Sequence, residues 1–178
     1  MKTRVVVVMG SKSDLAALEP GLTTLKDLGI PYDVRVLSAH RTPGEAAELA
    51  DRADERYGVV IAAAGGAAHL AGAIAARTTL PVIGIPIPSS PLQGLDSLLS
   101  TVQMPPGIPV ATVSIGEWGA TNAAVLAAQI LALGDAAIQK RLRAFKDAQA
   151  AKVLAADAEM KARSSPSPSP PSPSPSPP

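Results

Sequence analysis

The chain has 178 residues, 47% of them hydrophobic but only 2% aromatic, and carries a formal net charge of +1. A balance this close to neutral argues against general affinity for nucleic acid. The lack of cysteine excludes disulfides and thiolate metal sites, and no apolar run approaches the roughly 18 residues needed to cross a membrane.

Met1-Lys2-Thr3-Arg4 leads straight into a β-branched run. It has neither the apolar length nor the cleavage pattern of a signal peptide, so a soluble cytoplasmic protein is expected. Residues 4–9 read as a first strand and 13–28 as a helix ending at Gly29. Residues 32–37 form a second strand, and 43–57 a helix with Pro43 in its first turn. Residues 59–64 are a third strand, followed by a Gly-Gly turn and an Ala-rich helix to about 77. Then come a strand at 81–85, a Pro/Ser-rich loop, a helix at 95–102, a strand at 109–114 and a helix at 121–133. A last helix covers about 135–163, and residues 164–178 contain only Ser and Pro, a composition expected to be disordered. Residues 139–163 hold seven Lys/Arg against three Asp/Glu, whereas 1–138 hold nine against twelve. The first stretch reads as a solvated helix face.

A core without aromatics must be built from Val, Ile, Leu and Ala, and unbroken apolar strands alternating with helices imply a parallel sheet covered on both faces. The expectation is one domain over residues 1–163. Its fold class is α/β, a flavodoxin-like three-layer sandwich with a central five-stranded parallel sheet and a long C-terminal helix. Such sheets bind ligands beyond the carboxyl ends of their strands, so chain position becomes a functional filter.

Four strand-to-helix junctions carry unusual residues: Gly10-Ser11-Lys12-Ser13-Asp14, Ser38-Ala39-His40-Arg41-Thr42-Pro43, Ala64-Gly65-Gly66-Ala67-Ala68-His69, and Ile115-Gly116-Glu117-Trp118-Gly119-Ala120. Glycine lets backbone N–H groups approach a ligand, and the helix starts that follow favour anions. Ser11 and Ser13 also suit helix capping, with Asp14 favourable in a first turn. Arg41, just past a strand end, suits bidentate contact with phosphate. Both histidines of the chain, His40 and His69, fall at such junctions, and imidazole is the side chain best matched to proton transfer near neutral pH. Dinucleotide, phosphate-loop and nucleophile-elbow patterns do not occur, and no third metal ligand has suitable spacing.

The first three junctions, with Asp96-Ser97-Leu98-Leu99-Ser100, Val102-Gln103-Met104-Pro105, Gly107-Ile108-Pro109-Val110 and Asn122-Ala123-Ala124 following in order, resemble the PurE family of N5-carboxyaminoimidazole ribonucleotide mutases. The resemblance runs from about Arg4 to Phe145. It implies a cofactor-independent isomerase of de novo purine (IMP) biosynthesis that moves a carboxyl group from N5 to ring carbon C4, assembled as a homo-octamer with sites at subunit contacts. By the same resemblance Ser11, Ser13, Asp14, Ser38 and Arg41 hold ribose and phosphate, with Ala39 beside them. His40 transfers the proton, assisted by His69, and Ala64, Gly65, Gly66 and Ala67 line the pocket for the migrating carboxyl. The chain departs from the family at Ala63-Ala64, at Ala71 where proline is common, and at Trp118, where the usual residue is small.

Two other readings compete: a related carboxylase that takes aminoimidazole ribonucleotide and free carbon dioxide, and a non-catalytic nucleotide-phosphate binding module. Apolar Ile138, Leu142, Phe145, Val153 and Leu154 on the last helix suggest a partner surface.

Overall fold

A computed structural model describes residues 2–164. Five strands, β1 (Val5–Met9), β2 (Tyr32–Val36), β3 (Val59–Gly65), β4 (Val82–Ile87) and β5 (Ala111–Thr112), form one sheet in the order β2-β1-β3-β4-β5, with every pairing parallel. This is the flavodoxin-like order, whose topological switch point lies between β1 and β3. Six helices connect and flank the strands: α1 (Leu15–Asp27), α2 (Pro43–Asp51), α3 (Leu70–Ala75), α4 (Leu95–Val102), α5 (Gly116–Ala132) and α6 (Ala136–Ser164).

The alternation of side chains along each strand divides the core in two. Val6, Val8, Val60 and Ala62 pack with Ala46, Ala50, Leu70 and Ile74 of α2 and α3. Val7, Ile61 and Ile85 face Leu18, Leu22, Ala120 and Ala124 of α1 and α5. On that second face Gly21 lies against α5 so closely that a Cβ there would come within 2.5 Å of the Ala120 carbonyl oxygen. Small residues are what allow the two helices to approach this far.

Several boundaries differ from the sequence reading. The helix expected at 43–57 stops at Asp51, and Ala53–Glu55 form a separate 3-10 turn. The strand expected at 109–114 keeps only two paired residues, Ala111 and Thr112, opposite Ile83 and Gly84 of β4. β2 is an edge strand with Val34 and Val36 exposed, not a strand buried on both faces. Helix α5 begins at Gly116, five residues ahead of expectation. Gly116 adopts φ +67, and a Cβ at Gly119 would lie 1.7 Å from the Ser114 carbonyl oxygen. These glycines therefore serve the start of a helix, where the sequence suggested a loop.

By itself, the part of the chain up to residue 143 forms one compact unit, and the described residues 144–164 form a second. Ile138 and Leu142 are buried within the first unit, which corrects their reading as a partner surface. In the second unit Val153 and Leu154 are exposed. Ser164 closes α6, and the remainder of the predicted Ser/Pro tail lies outside the described residues.

Candidate active site

Three strand ends around the switch point build one cleft of about 310 Å³. Beyond β1, the Gly10 N–H still pairs with the Ala63 carbonyl at 3.0 Å, which keeps the loop close to the end of β3. Ser11 then caps the 3-10 turn Lys12–Asp14. Its Oγ accepts from the Ser13 N–H at 3.3 Å and the Ser13 hydroxyl at 2.8 Å, while Asp14 Oδ2 accepts from the Ser11 N–H at 3.1 Å. This reciprocal box satisfies the first amides locally. Asp14 is only 6% exposed. Burial raises its pKa above the usual carboxylate value, opposed by the Ser11 amide, the Ser13 hydroxyl and the Arg41 charge.

Beyond β2, Ser38 organises a tight turn. Its Oγ accepts from the backbone N–H groups of His40 and Arg41 at 3.3 and 3.2 Å, and its own N–H donates to Thr42 Oγ1 at 2.8 Å. Pro43 follows in the first turn of α2, where a missing N–H costs nothing. Arg41 reaches back across the switch point and donates from Nη2 to the Gly10 carbonyl at 2.7 Å. The guanidinium thus ties the two loops together at the mouth of the cleft.

Beyond β3, Gly66 turns the chain with φ +59 and His69 stands at the N-cap position of α3. The two histidines, 29 residues apart in sequence, meet here: His40 Nε2 lies 2.8 Å from His69 Nδ1, with the rings edge to face at 86°. One of these nitrogens must carry a proton and the other a lone pair.

Of the residues singled out from the sequence, Ser11, Asp14, Ser38, Ala39, His40, Arg41, Ala64, Gly65 and His69 line the cleft. Ser13 does not, and acts locally through Ser11; Gly66 and Ala67 also lie off its wall. The junction at 115–120 contributes nothing to it, and Trp118 is 82% exposed in the first turn of α5. Gly10 and Ala68, inside junctions that the sequence singles out, also line the cleft, and Leu70 and Ser89 are wall residues that the sequence reading left out. Among the described residues, no group of three or more His, Asp or Glu side chains is arranged to hold a metal ion.

Comparison with known proteins identifies this architecture. The family model described as AIR carboxylase matches residues 4–152. The N5-carboxyaminoimidazole ribonucleotide mutase of Haemophilus influenzae is 55% identical over 152 residues, covering 85% of this chain and 93% of the relative. The Escherichia coli K12 protein of the same description is 53% identical over 152 residues, covering 85% and 90%. Among solved structures, Treponema denticola PurE superposes with a TM-score of 0.80 at 31% identity, covering 89% of this chain and 98% of that one. The PurE2-S38D structure from the same organism gives 0.82 at 30% identity, covering 90% and 99%.

Proposed function

The chain belongs to the AIR carboxylase family, and we propose on that footing a mutase that shifts a carboxyl group within one ribonucleotide. It is an N5-carboxyaminoimidazole ribonucleotide mutase of purine biosynthesis. The observation that carries the assignment of roles is the contact between His40 and His69, in the same cleft as Arg41 and Asp14.

The chemistry requires two proton movements. Breaking the carbamate N–C bond releases carbon dioxide and needs a proton on the exocyclic nitrogen. Ring carbon C4 then attacks carbon dioxide, and the hydrogen at C4 must leave to restore the aromatic ring. One imidazole can donate the first proton and take the second, so the proton count closes with no outside acid or base. In our assignment His40 keeps a proton on Nε2 and donates it to His69 Nδ1, while His69 carries its own on Nε2. The cycle starts with a proton on Nδ1 of His40 as well: Nδ1 gives it to the exocyclic nitrogen and takes the C4 proton in its place, while the contact with His69 keeps Nε2 protonated and the ring oriented.

Arg41, Ser38 and Ser11 are suited to the phosphate, since a guanidinium and clustered hydroxyls match its oxygens. Asp14 is suited to a ribose hydroxyl. Ala64 and Gly65 form the stretch of cleft wall suited to the migrating carboxyl. Written this way, the reaction uses no metal, organic cofactor or ATP.

The proposal includes a homo-octamer. Leu95, Leu99 and Val102, spaced i, i+4 and i+7 on α4, expose an apolar stripe that supports self-association. Light scattering on the purified protein should give an assembly, and a stable monomer would contradict this part. The proposal also includes a cytoplasmic location. Among the described residues no helix is long and apolar enough to cross a membrane.

The family's description, AIR carboxylase, keeps one alternative in play: direct carboxylation of aminoimidazole ribonucleotide by free carbon dioxide. Relatives above 50% identity carry the mutase description. Assaying both substrates decides between the two. Turnover of the carbamate is expected; turnover of aminoimidazole ribonucleotide with bicarbonate alone, and none of the carbamate, would reverse the assignment.

A further inference from the structure

We propose that Ser89 touches the substrate, its hydroxyl donating a hydrogen bond to an oxygen of the migrating carboxyl group. The placement follows from the sheet. Gly65, last in β3, is in register with Ile87, last in β4. Two residues on, the Ser89 N–H donates back to the Ile87 carbonyl at 3.0 Å, and this tight turn folds the side chain over Gly65. A Cβ at position 65 would lie 1.8 Å from Ser89 Oγ. The space that a side chain at 65 would take is therefore filled by this hydroxyl.

Ser89 forms part of the cleft wall together with His40, His69 and Gly65. The neighbouring wall residues Ala64, Ala68 and Leu70 offer no side-chain donor. Ser89 is also the one serine among the described residues whose hydroxyl has no hydrogen-bond partner there. Ser11, Ser13, Ser38, Ser90, Ser97, Ser100, Ser114 and Ser164 all have one. A neutral hydroxyl fits this position, because it can donate to the carbamate, to carbon dioxide and to the new carboxylate in turn, with no cationic charge to trap any of them. Holding carbon dioxide between the two bond changes keeps it from escaping.

The inference rests on the mutase reading, so the test includes the parent enzyme. Ser89→Ala should slow carboxyl transfer about tenfold, the effect of losing one hydrogen bond to a charged group. It should also raise severalfold the share of turnovers that end as free aminoimidazole ribonucleotide and carbon dioxide. Affinity for aminoimidazole ribonucleotide and the thermal midpoint should stay at the parent values. A variant that transfers as fast as the parent overturns the proposal, and so does one that slows without added leakage. If the parent does not isomerise the carbamate at all, the mutase reading falls and Ser89's role falls with it.

Discussion

The two ends of the sheet use the same residue types in opposite ways. At the amino ends of β1, β2 and β3, Asp33 accepts from Arg4 at 2.8 Å, from the Tyr57 hydroxyl at 2.9 Å and pairs with Arg56 at 3.1 Å. Its two oxygens are occupied by protein donors, and burial together with Asp33 pushes the Tyr57 hydroxyl above its ordinary range. At the carboxyl ends, Arg41 commits Nη2 to the Gly10 carbonyl at 2.7 Å and Nε to Ser38 Oγ at 3.5 Å, and each histidine commits one ring nitrogen to the other. All three side chains line the cleft with part of their hydrogen-bonding capacity uncommitted to protein among the described residues. A charge cluster closed on itself stabilises the fold, whereas one held in place by part of its donors can serve a ligand.

The comparison breaks most sharply at His40. Replacing it with Asn, which can still form hydrogen bonds but cannot exchange the proton, should cut kcat about 10³-fold with little change in substrate affinity. Steady-state kinetics with isothermal titration would show it, and unchanged kcat would remove His40 from proton transfer. Next in size, Arg41→Met should lower kcat/KM about 10- to 100-fold, mostly through KM, because a charge-assisted contact to phosphate is lost. A change confined to kcat would place the guanidinium near the reacting atoms instead.

The opposite edge should respond in stability alone. Asp33→Asn leaves three donors competing for one oxygen, and denaturant unfolding should show a loss of about 1–2 kcal/mol. Activity per folded molecule should stay within about twofold. The smallest effect is expected at Asp14, which belongs to the site yet costs stability. Because burial raises its pKa in the fold, the folded chain binds that proton more tightly than the unfolded chain does. Ionised Asp14 is therefore unfavourable to folding at neutral pH, and this cost fades as pH falls through the raised pKa toward the ordinary Asp value of about 3.9. Asp14→Asn should raise the thermal midpoint at pH 7 while weakening catalysis, and the difference should shrink on acidification toward the ordinary Asp value. An advantage that grew on acidification would reverse the sign of this argument.

How much of this could be read in advance depended on how local each feature is. The β-branched run at 5–9, the start of α2 at Pro43 and the Ser11–Asp14 box declare themselves within a few residues. The cleft residues after β1, β2 and β3 were legible because a parallel sheet gathers such junctions on one side. Ser89 was not, because its position depends on the register of β3 with β4 and on a turn at Ile87 that a Pro/Ser-rich loop does not announce. The segment at 115–120 misled for the opposite reason. Its glycines look like those of a ligand loop, yet Gly116 supplies a positive φ and Gly119 leaves space for the Ser114 carbonyl as α5 begins. That His40 and His69 share one site was legible from their strand-end positions and the family resemblance, but their direct contact was not, since nothing local sets a 2.8 Å separation across 29 residues.

The aromatic poverty of this chain also fixes how it can be watched. Its single tryptophan, Trp118, stands in solvent, while the core is mainly aliphatic with Tyr57 as the buried aromatic among the described residues. Its indole starts in water and ends in water when the core melts, so emission is nearly silent to unfolding, which must be followed by far-ultraviolet circular dichroism. The same fluorophore is well placed as an optical reporter of whatever comes to cover the first turn of α5.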